Sequence, residues 1–449
     1  MLLRQLPANT ELTLKVAPVK EEVIREFLLS ADIEVLLPHP DRAREIKTSG
    51  TLTLLDSLFL TSTITVCIVE DSDGEIFSLP LIQAGGEIRR AVAGDGATQA
   101  LLALRELEPA SRFSLKLWHS EPLSGERALG VDQTEESIII GERAIAKWFS
   151  RIHPSANSSL PRIEALQLAN FTSMPSPWSA LEWQEPGTDS RMLVAYVSQY
   201  QQNTRDGWEW AIEELENYLG GKESVDSSTK FAPEIAELIS KMHSAFFSHI
   251  HRPANQSDIK VWLHEFSATL ELALKSTPGE AGKRLSGFES RIRTWIAEIE
   301  ITNLPELTLI HGDLHVGQIL RSDTGSYSII DLDGNPVGNK SSTLSLEPLV
   351  KDLAGMLQSL DHVGRVVAKR KGGQFAQEIS DWINRAQERF QDSYLLTLVN
   401  VDEDSLSNPH LLLLFQFQQE FREFLYAQSH LPSWMYVPDA ALPALIERI

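Results

Sequence analysis

The chain has 449 residues, 42% hydrophobic and 23% charged, enough apolar material for two or three packed units of a globular protein. A formal net charge of −22 argues against nucleic acid and other polyanionic partners, which its field would repel. The single cysteine, Cys67, excludes a disulfide framework or a cysteine metal site within one chain.

The opening MLLRQLPANTELTL lacks an apolar core long enough for a signal peptide, and no later stretch approaches a membrane span. A cytoplasmic location without a membrane partner is therefore expected. Glu21–Leu29 reads as a helix and the Pro-bounded segment Ile33–Pro38 as extended chain. Thr51–Leu60 and Ser62–Val69 are β-branched and apolar, Asp71–Gly74 has the composition of a hairpin turn, and Ile76–Ile82 continues as a strand. Cys67 lies inside one of these apolar runs and reads as a small buried hydrophobe. A short helix at Thr98–Leu107 closes this stretch.

A second β-dominated stretch runs from Phe113 to about Gln199, with strands at Phe113–Trp118, Ser137–Gly141, Ala144–Trp148, Ala180–Trp183 and Met192–Val197, and a helix at Arg162–Asn170. From Asp206 the pattern turns helical: Trp208–Leu219, Pro233–His249, Ser257–Leu274, Gly279–Glu298, Leu349–Asp361, Gln374–Val399 and His410–Ser429. Tyr327–Asp331 is read as a strand. Strands first and helices later predict an α+β architecture. Three parts are expected: a β-rich cap over residues 1–97, an intermediate β-lobe that binds nucleotide over 98–200, and a helical lobe over 201–449. Oligomeric state is not readable from the sequence, and a monomer is favoured.

The chemistry concentrates in Leu309-Ile-His-Gly-Asp-Leu-His-Val-Gly-Gln-Ile-Leu320 and Ile329-Ile-Asp-Leu-Asp-Gly-Asn-Pro336. Asp313 sits in a polar loop between apolar stretches; Gln318 follows five residues later and Asp331 eighteen residues later. Phosphoryl transfer needs this inventory: a carboxylate to accept a hydroxyl proton, and an amide and a carboxylate to hold Mg²⁺ against nucleotide phosphates. Asp313 is the expected base. Gln318, Asp331 and Asp333 are the expected metal ligands, since Mg²⁺ prefers hard oxygen donors. Asp331 and Asp333 are expected on extended chain with both carboxylates on one face. His311 is assigned to fixing the loop, and His315 to structure or contact with the acceptor.

Lys147, among apolar neighbours on its strand, is a candidate for the nucleotide phosphates, with Ser137 as a weaker contact and Glu164 as a possible ion-pair partner. The preceding turn Asp132–Ser137 is not glycine-rich, so no phosphate loop supports the assignment. Near the C-terminus, Gln416, Gln419 (or Glu420) and Glu423 share a helix face, with Trp434 beyond. An amide and carboxylate stripe beside an aromatic ring suits a sugar; the alternative is a solvated helix face.

Together these motifs resemble the aminoglycoside-phosphotransferase-like kinases and, within them, the bacterial glucosamine kinases, close to the maltokinases. His311–Gln318 is the most specific match, supported by Ile145–Phe149, Asp206–Trp210, Lys351–Met356 and the tail through Trp434. The resemblance implies a bilobal eukaryotic-protein-kinase-like fold with ATP between the lobes. It places Lys147 on the phosphates, and Tyr196–Gln199 with Asp206 around the adenosine. Gln318, Asp331 and Asp333 would bind Mg²⁺. Asp313, His315, Gln419, Glu423 and Trp434 would meet the sugar. Asp333, Asn335–Pro336 and the tail favour glucosamine over maltose as acceptor, Glu423 and Asp313 being suited to its ammonium group. Aminoglycoside phosphorylation and a non-catalytic nucleotide or sugar sensor are the alternatives.

Overall fold

The computed structural model describes residues 20–37, 51–130, 136–153, 159–301, 303–334, 345–399 and 408–449. They divide into two compact units, Met1–Pro154 with Pro177–Tyr200, and Ser155–Ser176 with Gln201–Ile449.

The first unit carries two antiparallel sheets. In one, β1 (Thr53–Phe59), β2 (Ile64–Glu70), β3 (Ile76–Ala84) and β4 (Glu87–Arg90) pair in sequence order. Asp71 accepts from the backbone N–H groups of Asp73 and Glu75 and so shapes the β2–β3 turn. Cys67 and Val69 of β2 and Phe77, Leu79 and Leu81 of β3 face a core shared with Ile24 and Leu28 of α1 (Glu21–Ser30). Burial pushes the Cys67 thiol pKa far up, as expected of an inert packing residue. Ile33–Leu36 is one helical turn, not extended chain. The reason is spacing: Ile33 and Leu36 both enter this core, which three-residue helical spacing allows and a strand's alternation does not.

The other sheet has the order β5 (Phe113–Leu117), β9 (Pro177–Gln184), β10 (Arg191–Gln199), β8 (Ala144–Trp148), β7 (Glu136–Ile140), β6 (Glu126–Ala128). Its edge strand Glu126–Ala128 was not apparent in the sequence. Glu126 accepts from the N–H groups of Gly94, Gly96 and Gln99, capping the start of α2 (Ala97–Ala103). Trp148 donates to Thr98 at 3.0 Å, and Trp183 to Asp56 at 2.8 Å.

The second unit is helical: α3 (Ser159–Leu168), α4 (Gly207–Leu219), α5 (Phe231–His249), α6 (Gln256–Ser276), α7 (Gly279–Glu298), α8 (Val350–Arg370), α9 (Ala376–Thr397), α10 (Pro409–Ser429) and α11 (Tyr436–Ile446). Side-chain caps start several of them. Asp206 accepts from Glu209 at 3.0 Å, Asn255 and Asp258 form a capping box, and Asn408 accepts from His410 and Leu411 ahead of Pro409. The helix beginning near Leu349 runs well past Asp361, because Val363, Val366 and Val367 keep its buried stripe going. Two small three-stranded antiparallel sheets complete the unit among the described residues: β12 (His251–Pro253), β13 (Glu306–Thr308) and β16 (Glu347–Pro348) in one, and β11 (Thr204–Arg205), β14 (Ile319–Ser322) and β15 (Tyr327–Ile329) in the other. That strand ends at Ile329, two residues short of the sequence expectation.

Candidate active site

All of the catalytic-loop architecture lies in the second unit. β13 (Glu306–Thr308) delivers the chain through buried Leu309 and Ile310 to Gly312, whose φ of +85° suits glycine. Asp352, on the first turn of α8 and 2% exposed, holds this bend. It accepts from the N–H of His311 at 2.6 Å and of Gly312 at 2.9 Å, and contacts His243 Nε2 at 3.0 Å. His243 Nδ1 in turn meets the Tyr394 hydroxyl at 2.7 Å. Burial opposes the Asp352 charge, but the His243 hydrogen bond, the nearby imidazoles and the Gly312 N–H outweigh it and hold the carboxyl below its usual range. In the sequence Asp352 was only part of a supporting motif. An acid on the first turn of an amphipathic helix with a broad buried face was the available signal.

His311 fixes the loop as expected. Its Nε2 contacts the Ile330 carbonyl at 2.9 Å, and its Nδ1 accepts from the Asp313 N–H at 3.4 Å. That pattern assigns the neutral Nε2–H tautomer, consistent with burial lowering its pKa. Two glycines let helices close on the loop backbone. A Cβ on Gly207 would lie 1.8 Å from the Val316 carbonyl oxygen, and one on Gly355 2.7 Å from that of Leu314. The Val316 N–H donates to the Ser359 hydroxyl oxygen at 2.9 Å, completing the clamp.

Asp313 is therefore presented from a rigid bend. Burial pushes its pKa up; the nearby Asp331 and Glu423 charges add to this, while His315 and His311 oppose it. The Ile330 N–H donates to the Gln318 carbonyl at 3.0 Å, so the segment carrying Asp331 starts beside Gln318. Asp331 has φ +61° and Asp333 follows within a turn. The extended, same-face arrangement expected for these acids is thus corrected: the left-handed residue at 331 breaks strand alternation. Arg162 of α3, missed in the sequence, donates to the Ile310 carbonyl and, at 3.5 Å, to that of Leu332. A buried guanidinium thereby ties the catalytic and acidic loops together. His315 accepts from Gly317 at 3.1 Å and lies 3.3 Å from the Gln318 amide.

On α10, Glu423 is held by Gln419 Nε2 at 3.0 Å and Trp434 Nε1 at 2.9 Å. Trp434 meets Trp208 edge-on at 5.4 Å, and Gln419 lines the same cleft as Asp313 and His315. The face is not the single stripe expected. Gln416 and Glu420 are buried: Gln416 donates to Gln358, Gln358 donates to Glu420 at 2.5 Å, and His362 Nε2 contacts Glu420 at 2.8 Å. They are turned inward because α10 packs against α8 along that side. Burial alone would lower the His362 pKa, but Glu420 outweighs it and pushes it up to about 9. A raised histidine pKa stabilises the fold fully below the unfolded value of ~6.5. That contribution is lost as pH rises through about 9. Melting temperature is therefore expected to fall over this window, and His362→Gln to flatten the fall.

The nucleotide candidates of the first unit are neighbours on one sheet. Lys147 of β8 pairs across to Ser137 of β7 and Tyr196 of β10, with its ammonium 5.6 Å from the Phe149 ring centre. Gln199 is exposed near the end of β10, opposite Ala144. In the second unit, Glu164 is half-buried on α3, and exposed Asp206 caps α4. Asp132–Glu135 and Asn335–Pro336 lie outside the described residues.

This α+β fold, with a kinase-type loop beside a polar cleft, is that of an ATP-dependent small-molecule phosphotransferase, as its relatives show. No family model matches the chain. It is 37% identical over 429 residues to a glucosamine kinase of Streptacidiphilus jiangxiensis, covering 94% of this chain and 97% of that protein. A glucosamine kinase of Mycolicibacterium smegmatis (strain ATCC 700084 / mc(2)155) is 34% identical over 373 residues, 81% of this chain and 91% of that one. A solved glucosamine kinase structure (crystal form B) superposes with a TM-score of 0.81 at 36% identity, covering 94% of this chain and 99% of that one. A glucosamine kinase solved in complex with glucosamine, ADP and inorganic phosphate gives a TM-score of 0.77 at 36% identity, over 94% and 98% of the two chains. The chain belongs to the glucosamine kinase family.

Proposed function

We propose that this chain transfers the γ-phosphoryl group of ATP to a hydroxyl of glucosamine, giving glucosamine 6-phosphate. The observation that carries the reading is the joining of Asp313 and Gln419 in one cleft, with Glu423 oriented by Gln419 and Trp434. The family's glucosamine kinases, one of them crystallised with glucosamine and ADP, support it.

Asp313 orients the acceptor hydroxyl and takes its proton as the new P–O bond forms and the bond from the γ-phosphorus to the β,γ-bridging oxygen breaks, ADP leaving. The Asp352 clamp and the His311 bridge hold that carboxylate in place, so its positioning is built before substrate arrives. Gln318, Asp331 and Asp333 offer a carboxamide and two carboxylates, an oxygen donor set that suits Mg²⁺. Among the described residues there is no cluster of three or more His, Cys, Asp or Glu for a metal; the proposed donor set is two carboxylates and the Gln318 amide. Bound there, Mg²⁺ would neutralise charge on the β- and γ-phosphates. Lys147 supplies fixed positive charge to the nucleotide phosphates, with Ser137, Gln199, Asp206 and Glu164 as supporting nucleotide residues. Glu423 receives the sugar ammonium in a charge-assisted hydrogen bond, and Trp434 contributes a ring surface beside it. His315 borders the acceptor.

We place nucleotide binding mainly in residues 98–200, with Asp206 just beyond, and the chemistry in 201–449, with 1–97 as a cap. No helix among the described residues is long and apolar enough to cross a membrane. Release of ADP from ATP and Mg²⁺ should be far more efficient with glucosamine than with glucose, maltose or an aminoglycoside. Equal or better turnover of a neutral sugar would overturn the choice of acceptor.

A further inference from the structure

Gln418 is 1% exposed, and neither its Oε1 nor its Nε2 has a hydrogen-bond partner among the described residues. Leaving both groups of a buried carboxamide unpaired costs their full desolvation, so such a residue calls for an explanation. Gln418 lines the cleft of Asp313, Gln419 and Phe415, and so does Arg422, one helical turn further along α10. Among the described residues no hydrogen bond or ion pair engages the Arg422 guanidinium, and Asp313 is among the carboxylates whose charge acts on it. Other polar groups of the wall are already engaged. Asp352 holds the loop, and Lys351 pairs with Glu347 at 3.1 Å and lies over Phe415.

We propose that Gln418 and Arg422 form a subsite that reads one hydroxyl of the acceptor sugar and so fixes which way the sugar lies on Asp313. The chemistry selects a hydroxyl. A carboxamide offers one acceptor and one donor face, matching a group that both donates and accepts. An ammonium only donates, and Arg422 repels it. The sugar is thereby oriented with its ammonium toward Glu423 and a hydroxyl toward Gln418, two opposed requirements on one ring. A site built to bond a hydroxyl also rejects analogues that lack it, because its own buried groups are then left unpaired.

This inference rests on the reading of the chain as a glucosamine kinase, and the test separates the two. Steady-state kinetics are measured for the purified full chain with glucosamine and its 1-, 3- and 4-deoxy analogues, then repeated with Gln418→Leu and Arg422→Met. The wild type should lose at least ~10-fold in kcat/KM on one deoxy analogue. Gln418→Leu should lose a similar factor on glucosamine but little on that analogue, and should keep the preference for glucosamine over glucose. Its melting temperature should match or exceed wild type, since two unpaired groups are gone. If that variant does not fold, Arg422→Met should show the same analogue-specific pattern. Glucosamine turnover with a flat deoxy series, or equal losses on every sugar in both variants, overturns the subsite alone. Absence of glucosamine turnover by the wild type overturns the functional reading and the subsite with it.

Discussion

Asp313→Asn is expected to lower kcat by roughly 10²- to 10⁴-fold, the range of a lost general base, while ATP binding changes little. The amide keeps the shape of the side chain but cannot take the hydroxyl proton. The loop should survive, because it is held by Asp352, His311 and Ser359 rather than by the Asp313 carboxylate. The wild type adds a pH signature. Burial raises the Asp313 pKa, and only the ionised form accepts a proton. Activity should therefore fall on acidification through a pKa above the ordinary aspartate value of ~3.9, and Asp313→Asn should lack that limb. Wild-type turnover in the variant would remove Asp313 from the mechanism.

The second large effect is structural. Asp352→Ala leaves His243 and the two loop N–H groups of His311 and Gly312 without their shared acceptor. Breaking such a buried charged network costs about 3–5 kcal/mol, measurable by urea unfolding, and the loss of activity should track the distorted loop. The pH dependence has the opposite sign to that of His362. The Asp352 pKa is held down in the folded chain, so its stabilisation is present above ~3.9 and disappears as pH falls through the lower folded value. An Asp352→Ala protein as stable as wild type would contradict this account of the clamp.

The long periodic elements were legible in the sequence because their signals are local. The helix Gly279–Glu298 and the strand Ala144–Trp148 were read with the boundaries the structure gives. The Asp313, Gln318 and Asp331 spacing was also local, since the intervening hairpin fixes how far apart they lie. What escaped depends on tertiary packing. Arg162 and Asp352 act on loops distant in sequence, so their roles emerge only once the fold brings those loops to them. Asp331 looked like the end of a strand, because left-handed φ at a non-glycine residue leaves no mark in composition. Tyr436–Ile446 was hidden by its prolines, Pro438 and Pro443, which lower helix propensity that packing against α8 and α10 restores. On α10 the sequence suggested one polar stripe. The fold divides it among a buried network at Gln416 and Glu420, the Gln419–Glu423–Trp434 set, and the unpaired Gln418.

The central claim is phosphoryl transfer from ATP to glucosamine on Asp313, and ³¹P NMR of the wild-type reaction tests it most directly. The γ-phosphate resonance of ATP should give way to a phosphate monoester on glucosamine, appearing in step with ADP and with little free phosphate. ADP accompanied only by inorganic phosphate, or no turnover at all, would contradict it.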